Sequence, residues 1–88
     1  MNKINILDYS SCGRDQRGRK FPIHLVLLDG TELYGHIEGS IGLGSQTDEF
    51  VLAIIPNIQQ WVQGVSSGTR SNVKIKVASI SNIRVFKY

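Results

Sequence analysis

Apolar and polar positions are most clearly organised over residues 21–39, "FPIHLVLLDGTELYGHIEG", where two apolar runs meet at Asp29-Gly30. Such a dipeptide tolerates the positive φ angles that close a two-residue type I′ hairpin. That turn pairs Leu28 with Thr31, Val26 with Leu33 and His24 with Gly35. One sheet face then collects Val26, Leu28, Leu33, Gly35 and Ile37; the other collects Ile23, Leu25, Leu27, Glu32, Tyr34, His36 and Glu38. His24 and His36 fall on opposite faces, which argues against a joint metal or catalytic site, and His36 near Glu38 reads as a surface pair. The first strand is apolar on both faces while the second alternates, as expected of a strand enclosed by a curling sheet beside one with a solvated side. Gly35 and Gly39 lie on the face of Leu33 and Ile37, where missing side chains let a strand bend sharply.

The rest of the chain continues in short strands. Residues 49–55, "EFVLAII", form a third strand after a Gly/Ser-rich connection over residues 40–47, and Pro56 interrupts it or marks an edge. Residues 57–72, "NIQQWVQGVSSGTRSN", read as a long connection or an extended hairpin arm. Residues 73–77, "VKIKV", and 82–88, "NIRVFKY", supply strands four and five on either side of "ASIS". Upstream, Ile4, Ile6 and Leu7 suit one apolar helical turn, followed by "SSCGRDQRGR", which is loop chemistry. The pattern predicts an all-β domain over residues 21–88, a small, strongly bent five-stranded antiparallel barrel. Residues 1–20 precede it as a flexible or partly helical basic arm.

Size makes oligomerisation the support to look for. A core built from 88 residues is marginal unless disulfides, a metal or a partner add to it. Cys12 is alone, and no Cys/His cluster has zinc spacing. No apolar run approaches a membrane span, and the first twenty residues carry arginines where a signal peptide needs apolar residues, so a soluble cytoplasmic protein is expected. The net charge of +3 is unevenly spread: residues 1–20 carry +3, residues 21–69 hold no Lys or Arg and carry −5, and residues 70–88 carry +5. Such segregation suits an anionic partner, or attraction between acidic and basic parts within or between chains.

Residues 22–39 resemble the first motif of the Sm/LSm family in its bacterial Hfq-like form: an apolar strand, an Asp-Gly turn, then Leu33, Gly35, Ile37 and Gly39 at the family's spacing. "DEFVLAI", residues 48–54, resembles the segment opening the family's third strand, and "IKVASISNI", residues 75–83, resembles its second motif. The chain departs from the family in the extra residues 40–47, in a longer connection before strand four, in Leu52 where many members carry asparagine, and in Val77 where glycine or histidine is usual.

The resemblance implies a homo-oligomeric ring in which strand four of one subunit pairs with strand five of the next, through Val73, Ile75, Val77, Ile83 and Val85. It also implies single-stranded, U-rich or A-rich RNA on a basic pore face, with no cofactor or metal. By position, Phe50 matches the base-stacking aromatic, Lys76 the second-motif basic residue, Glu49 a polar pocket wall and Asp48 the motif aspartate; Lys74 lies beside them. Each has a plainer role available: Phe50 as core, Lys74 and Lys76 as the solvated face of a strand, Glu49 as a group that repels phosphate. Trp61, Arg70, Arg17 and Arg19 are candidate secondary RNA contacts, although Trp61 also suits packing of an arm and the N-terminal arginines a solvated tail. Two functions stand: an RNA-binding ring, and a ring of the same fold used as a protein-interaction scaffold whose pocket is degenerate at Glu49, Leu52 and Val77. An enzyme is not expected, because no nucleophile and base share a recognisable spacing and "GSIGLGS" lacks the lysine and helix of a phosphate loop.

Overall fold

A computed structural model describes residues 6–9, 13–43, 46–65 and 68–88. Five antiparallel strands form one sheet: β1 (Ile23–Leu27), β2 (Glu32–Leu43), β3 (Gln46–Ile54), β4 (Ser71–Lys76) and β5 (Ile80–Val85), in the order β4-β3-β2-β1-β5. A short helix, α1 (Ile58–Gln63), joins β3 to β4, and 3-10 turns occupy Ile6–Tyr9 and Val77–Ser79. Among the described residues no helix is long and apolar enough to cross a membrane.

The first hairpin differs by one residue from the register expected above. Ile23 opposes Gly35, His24 opposes Tyr34, Leu25 opposes Leu33 and Val26 opposes Glu32. Leu27 N–H donates to Thr31 O at 2.8 Å and Gly30 N–H to Leu27 O at 3.0 Å, leaving Leu28, Asp29 and Gly30 as a three-residue loop. Gly30 has φ of 90° and no described non-glycine residue has positive φ, so Asp29 is not in the conformation a type I′ turn needs. The loop is a turn followed by a left-handed glycine, the next commonest hairpin closure. A one-residue slip exchanges the faces of a strand. Ile23, Leu25 and Leu27 therefore join Leu33 and Ile37 on the core side, Leu28 is left 72% exposed, and His24 shares a face with Tyr34 and His36.

Close approach explains one of the two glycines in β2. A Cβ on Gly35 would lie 2.3 Å from the Ala53 carbonyl oxygen, whereas one on Gly39 would meet nothing within 4 Å. Bending of β2 is carried by an irregular register between Ile37 and Gly39, where Glu38 is the extra residue. The connection expected over residues 40–47 is instead the far end of a long β2–β3 hairpin, with Ser40 opposite Phe50 and Leu43 opposite Gln46.

The core comprises Ile6, Ile23, Leu25, Phe50, Leu52, Ile75 and Ile80, with Tyr9, Leu27, Leu33, Ile37, Ile54, Val77 and Ile83 packed against it. Ile6 is buried, so the N-terminal segment contributes to the core and is not merely an arm. Residues 13–20 are likewise ordered: Arg14 bridges Lys20, and the Asp15 carboxylate accepts from the backbone N–H of Arg17 (2.8 Å) and Arg19 (2.9 Å). The part of the expected apolar turn around Ile4 lies outside the described residues.

The sheet curls without closing. Flat, it would hold its edge strands roughly 19 Å apart, but the four steps from Lys76 to Ile80 span at most about 14 Å. The 3-10 turn Val77–Ser79 draws those strand ends together, and among the described residues β4 pairs only with β3 and β5 only with β1.

Candidate nucleic-acid interface

The residues matched to the RNA pocket divide between the two sides of β3 and β4. Successive strand residues face opposite ways. Phe50 opposes Ile75 on the core side and is 0% exposed, so its ring offers no face to a base. Glu49 opposes Lys76 and Val51 opposes Lys74 on the outer side, where both lysines are exposed and Glu49 is half-buried. Asp48 is exposed, at the point where the β2–β3 register shifts. The structure thus brings Glu49 and Lys76 together and separates both from Phe50. Of the expected interface residues, Ile75 is buried, Val77 and Ile83 pack on the core, Val85 is half-buried and Val73 is 37% exposed.

The secondary candidates converge elsewhere, around α1. Asn57 starts this helix, its side chain accepting from Gln60 N–H at 3.1 Å, and Gly64 ends it in the left-handed conformation. Two guanidinium groups meet the carbonyls of its last turn. Arg19 Nη2 donates to Trp61 O at 2.6 Å, and Arg17 donates to Val62 O at 3.3 Å and Gln63 O at 3.1 Å. Positive charge there complements the partial negative charge of exposed helix carbonyls. Arg19 is aimed by Asp15, whose carboxylate accepts its Nε–H at 3.1 Å, and its guanidinium lies 4.0 Å from the Trp61 ring centroid.

Arg70 reaches the same tryptophan from the start of β4, 5.5 Å from its ring, and donates to Ala53 O at 3.0 Å and to His36 Nδ1. His36 Nε2–H donates to Lys20 O at 2.8 Å, so both ring nitrogens are committed and the imidazole is neutral. Burial lowers its pKa, and Arg70 adds to that effect. Glu38 still acts on His36 through its charge, as the expected surface pair implies, but both ring nitrogens are bonded to Lys20 and Arg70. Trp61 Nε1–H donates to the Tyr88 hydroxyl at 3.0 Å, which donates in turn to Asp15. That bond from Tyr88, with backbone bonds from Arg19 and Arg17 and the Arg19 charge, lowers the Asp15 carboxyl to about 2.

Compared with models of known families, with curated proteins and with solved structures, the chain matches none. Its chemistry is therefore read from the side chains alone. A basic strip on β4 and a second basic, aromatic cluster around Trp61 both suit an anionic partner. His24 belongs to neither: its Nε2 bonds Glu32 at 3.0 Å, Arg84 donates to its Nδ1 at 3.2 Å, and its ring stacks on Tyr34. Among the described residues no three His, Cys, Asp or Glu side chains form a metal-binding group. Sequence reading missed Arg14, Lys20, His36 and Tyr88 as members of the Trp61 cluster. Charge segregation was the available signal, since two basic segments flank a middle stretch without Lys or Arg.

Proposed function

We propose that this chain is an Sm-like subunit that assembles head-to-tail into a homo-oligomeric ring and binds single-stranded RNA through its phosphates. One observation carries the reading: a single curled sheet has β4 and β5 as its two edges, each with one hydrogen-bonding side unused among the described residues. Free edges template pairing with another chain, and joining β4 of one copy to β5 of the next removes them all when the circle closes. Each subunit is then an open, strongly bent barrel completed by its neighbours. Lys74 and Lys76 on β4 and Arg84 on β5 are exposed, and residues 70–88 hold no acid, so ring closure repeats positive charge at every subunit junction. RNA contacts of this kind are phosphate contacts and need no stacking ring at Phe50.

The scaffold reading draws on a different observation. Phe50 is buried, which leaves it no base-stacking face, and Glu49 stands in register opposite Lys76, placing an acid on the same strand pair as the lysines. The two readings separate in a titration of the purified oligomer, prepared without nuclease treatment, with oligo-U and oligo-A at several salt concentrations. An RNA-binding ring carries over nucleic acid on purification and shows a log K against log salt slope of about −0.7 per phosphate contact. Lys74→Gln and Lys76→Gln each reduce that slope. An intact ring with no salt-dependent binding assigns the protein to the scaffold class.

A further inference from the structure

The Trp61 cluster borders a cleft of about 300 Å³, at the lower end of the range usual for small-ligand sites. Among the described residues, Arg14, Lys20 and Arg70 line it against a single carboxylate, Glu38, with Tyr9 also in the wall, and His36 is held neutral by its two hydrogen bonds. The cleft is therefore concave and electropositive. Arg19, 4.0 Å from the centroid of the Trp61 ring, is paired with Asp15 and adds no net charge to the cleft.

Arg70 is the half-buried cation of the cleft. Its Nη2 is spent on Ala53 O and His36 Nδ1, which hold the guanidinium in place. Its Nε is buried and has no acceptor among the described residues. A desolvated donor without an acceptor is costly, and a cation deprived of water is stabilised most by an anion offering several acceptor oxygens. Burial acts against the charge of Arg70, and Glu38 only partly offsets it. A carboxylate ligand would bring two oxygens; a phosphate monoester brings three and close to two negative charges at neutral pH, matching three cations around one acid.

We propose that the cleft formed by Arg14, Lys20, His36, Trp61 and Arg70 binds a phosphate monoester, either on a free mononucleotide or at the 5′ end of an RNA. The site lies within one subunit, so it stands or falls independently of ring formation and of the phosphodiester contacts on β4.

Trp61 is the only tryptophan in the chain, and its fluorescence reports on the cleft directly. The 88-residue chain is titrated at constant ionic strength with inorganic phosphate, adenosine monophosphate, adenosine and chloride, following Trp61 emission and the thermal midpoint. Phosphate and adenosine monophosphate give a saturable emission change and raise the midpoint; adenosine and chloride do neither. Lys20→Gln and Arg14→Gln, both at exposed positions, weaken binding roughly two- to fivefold, and Glu38→Gln strengthens it by a similar factor, the size of partly exposed charge pairs. Oligonucleotides with a 5′ phosphate or a 5′ hydroxyl then identify the source. A strong preference for the phosphorylated end assigns the site to RNA termini, and tighter binding of the mononucleotide with no end preference assigns it to free nucleotides. No saturable response to phosphate or mononucleotide at millimolar concentration by either readout overturns the proposal. So does binding that ignores both the Glu38 and the Lys20 changes in variants that melt like the parent.

Discussion

Phe50 distinguishes an inherited base pocket from a core residue, and replacing it gives opposite patterns for the two roles. The ring is fully buried opposite Ile75, within the cluster that includes Leu25, Leu52 and Ile80. Truncating a buried phenylalanine to alanine costs about 3–5 kcal/mol through lost transfer energy and the residual cavity. An 88-residue domain has roughly 4–13 kcal/mol to lose, so Phe50→Ala brings the chain close to unfolding. Phe50→Leu keeps most of the volume and costs about 1 kcal/mol. Urea unfolding followed by circular dichroism measures both, a lowered midpoint with an unchanged slope marking a pure stability effect. The leucine variant, still folded, then meets oligo-U at fixed salt. A core role predicts affinity within about 0.5 kcal/mol of the parent, whereas loss of a stacking ring costs about 1–3 kcal/mol. A Phe50→Leu protein with parental stability and that loss of affinity would refute the placement of Phe50.

Three further predictions follow from particular contacts. Gly35→Ala forces a methyl against the Ala53 carbonyl and destabilises by about 1–3 kcal/mol or more, while Gly39→Ala, with open space around its Cβ, is neutral or stabilising by up to about 1 kcal/mol; chemical denaturation of the two side by side checks the contrast. His36 is neutral in the folded state with its pKa below the ordinary 6.5, so its contribution is fully present above pH 6.5 and is lost as pH falls from there through the lower folded value. His36→Gln should therefore flatten the loss of stability on mild acidification. Asp15, held at about 2 against an ordinary 3.8, contributes stability that is full above pH 3.8 and is lost as pH falls through about 2; Tyr88→Phe, which removes the largest cause of that shift, should move the Asp15 carboxyl upward in a carbon-detected titration.

The strands were legible wherever one face alternates. β4 and β5 announce themselves by lysines and arginine between Val and Ile, and β3 by its run from Phe50 to Ile55. The hairpin register was not, because a two-residue loop and a three-residue loop both place glycine in the left-handed region at position 30. Leu25, Val26, Leu27 and Leu28 are apolar on both faces, so the pattern could not decide between them. Residues 40–47 have the composition of a loop, but pairing of each strand with the other holds them extended to Leu43 and from Gln46. α1 is too short to show a period and buries no residue; Asn57 and Gly64 were its only marks. The Trp61 cluster draws on positions from Asp15 to Tyr88, a non-local assembly that spacing in one sequence does not reveal.

Native mass spectrometry at micromolar concentration shows whether the two sheet edges join copies of the chain. One closed oligomer at a fixed multiple of the subunit mass, unchanged on moderate dilution, is expected, because a ring leaves no β4 or β5 edge unpaired. A folded monomer at that concentration, with its native circular dichroism intact, would contradict it.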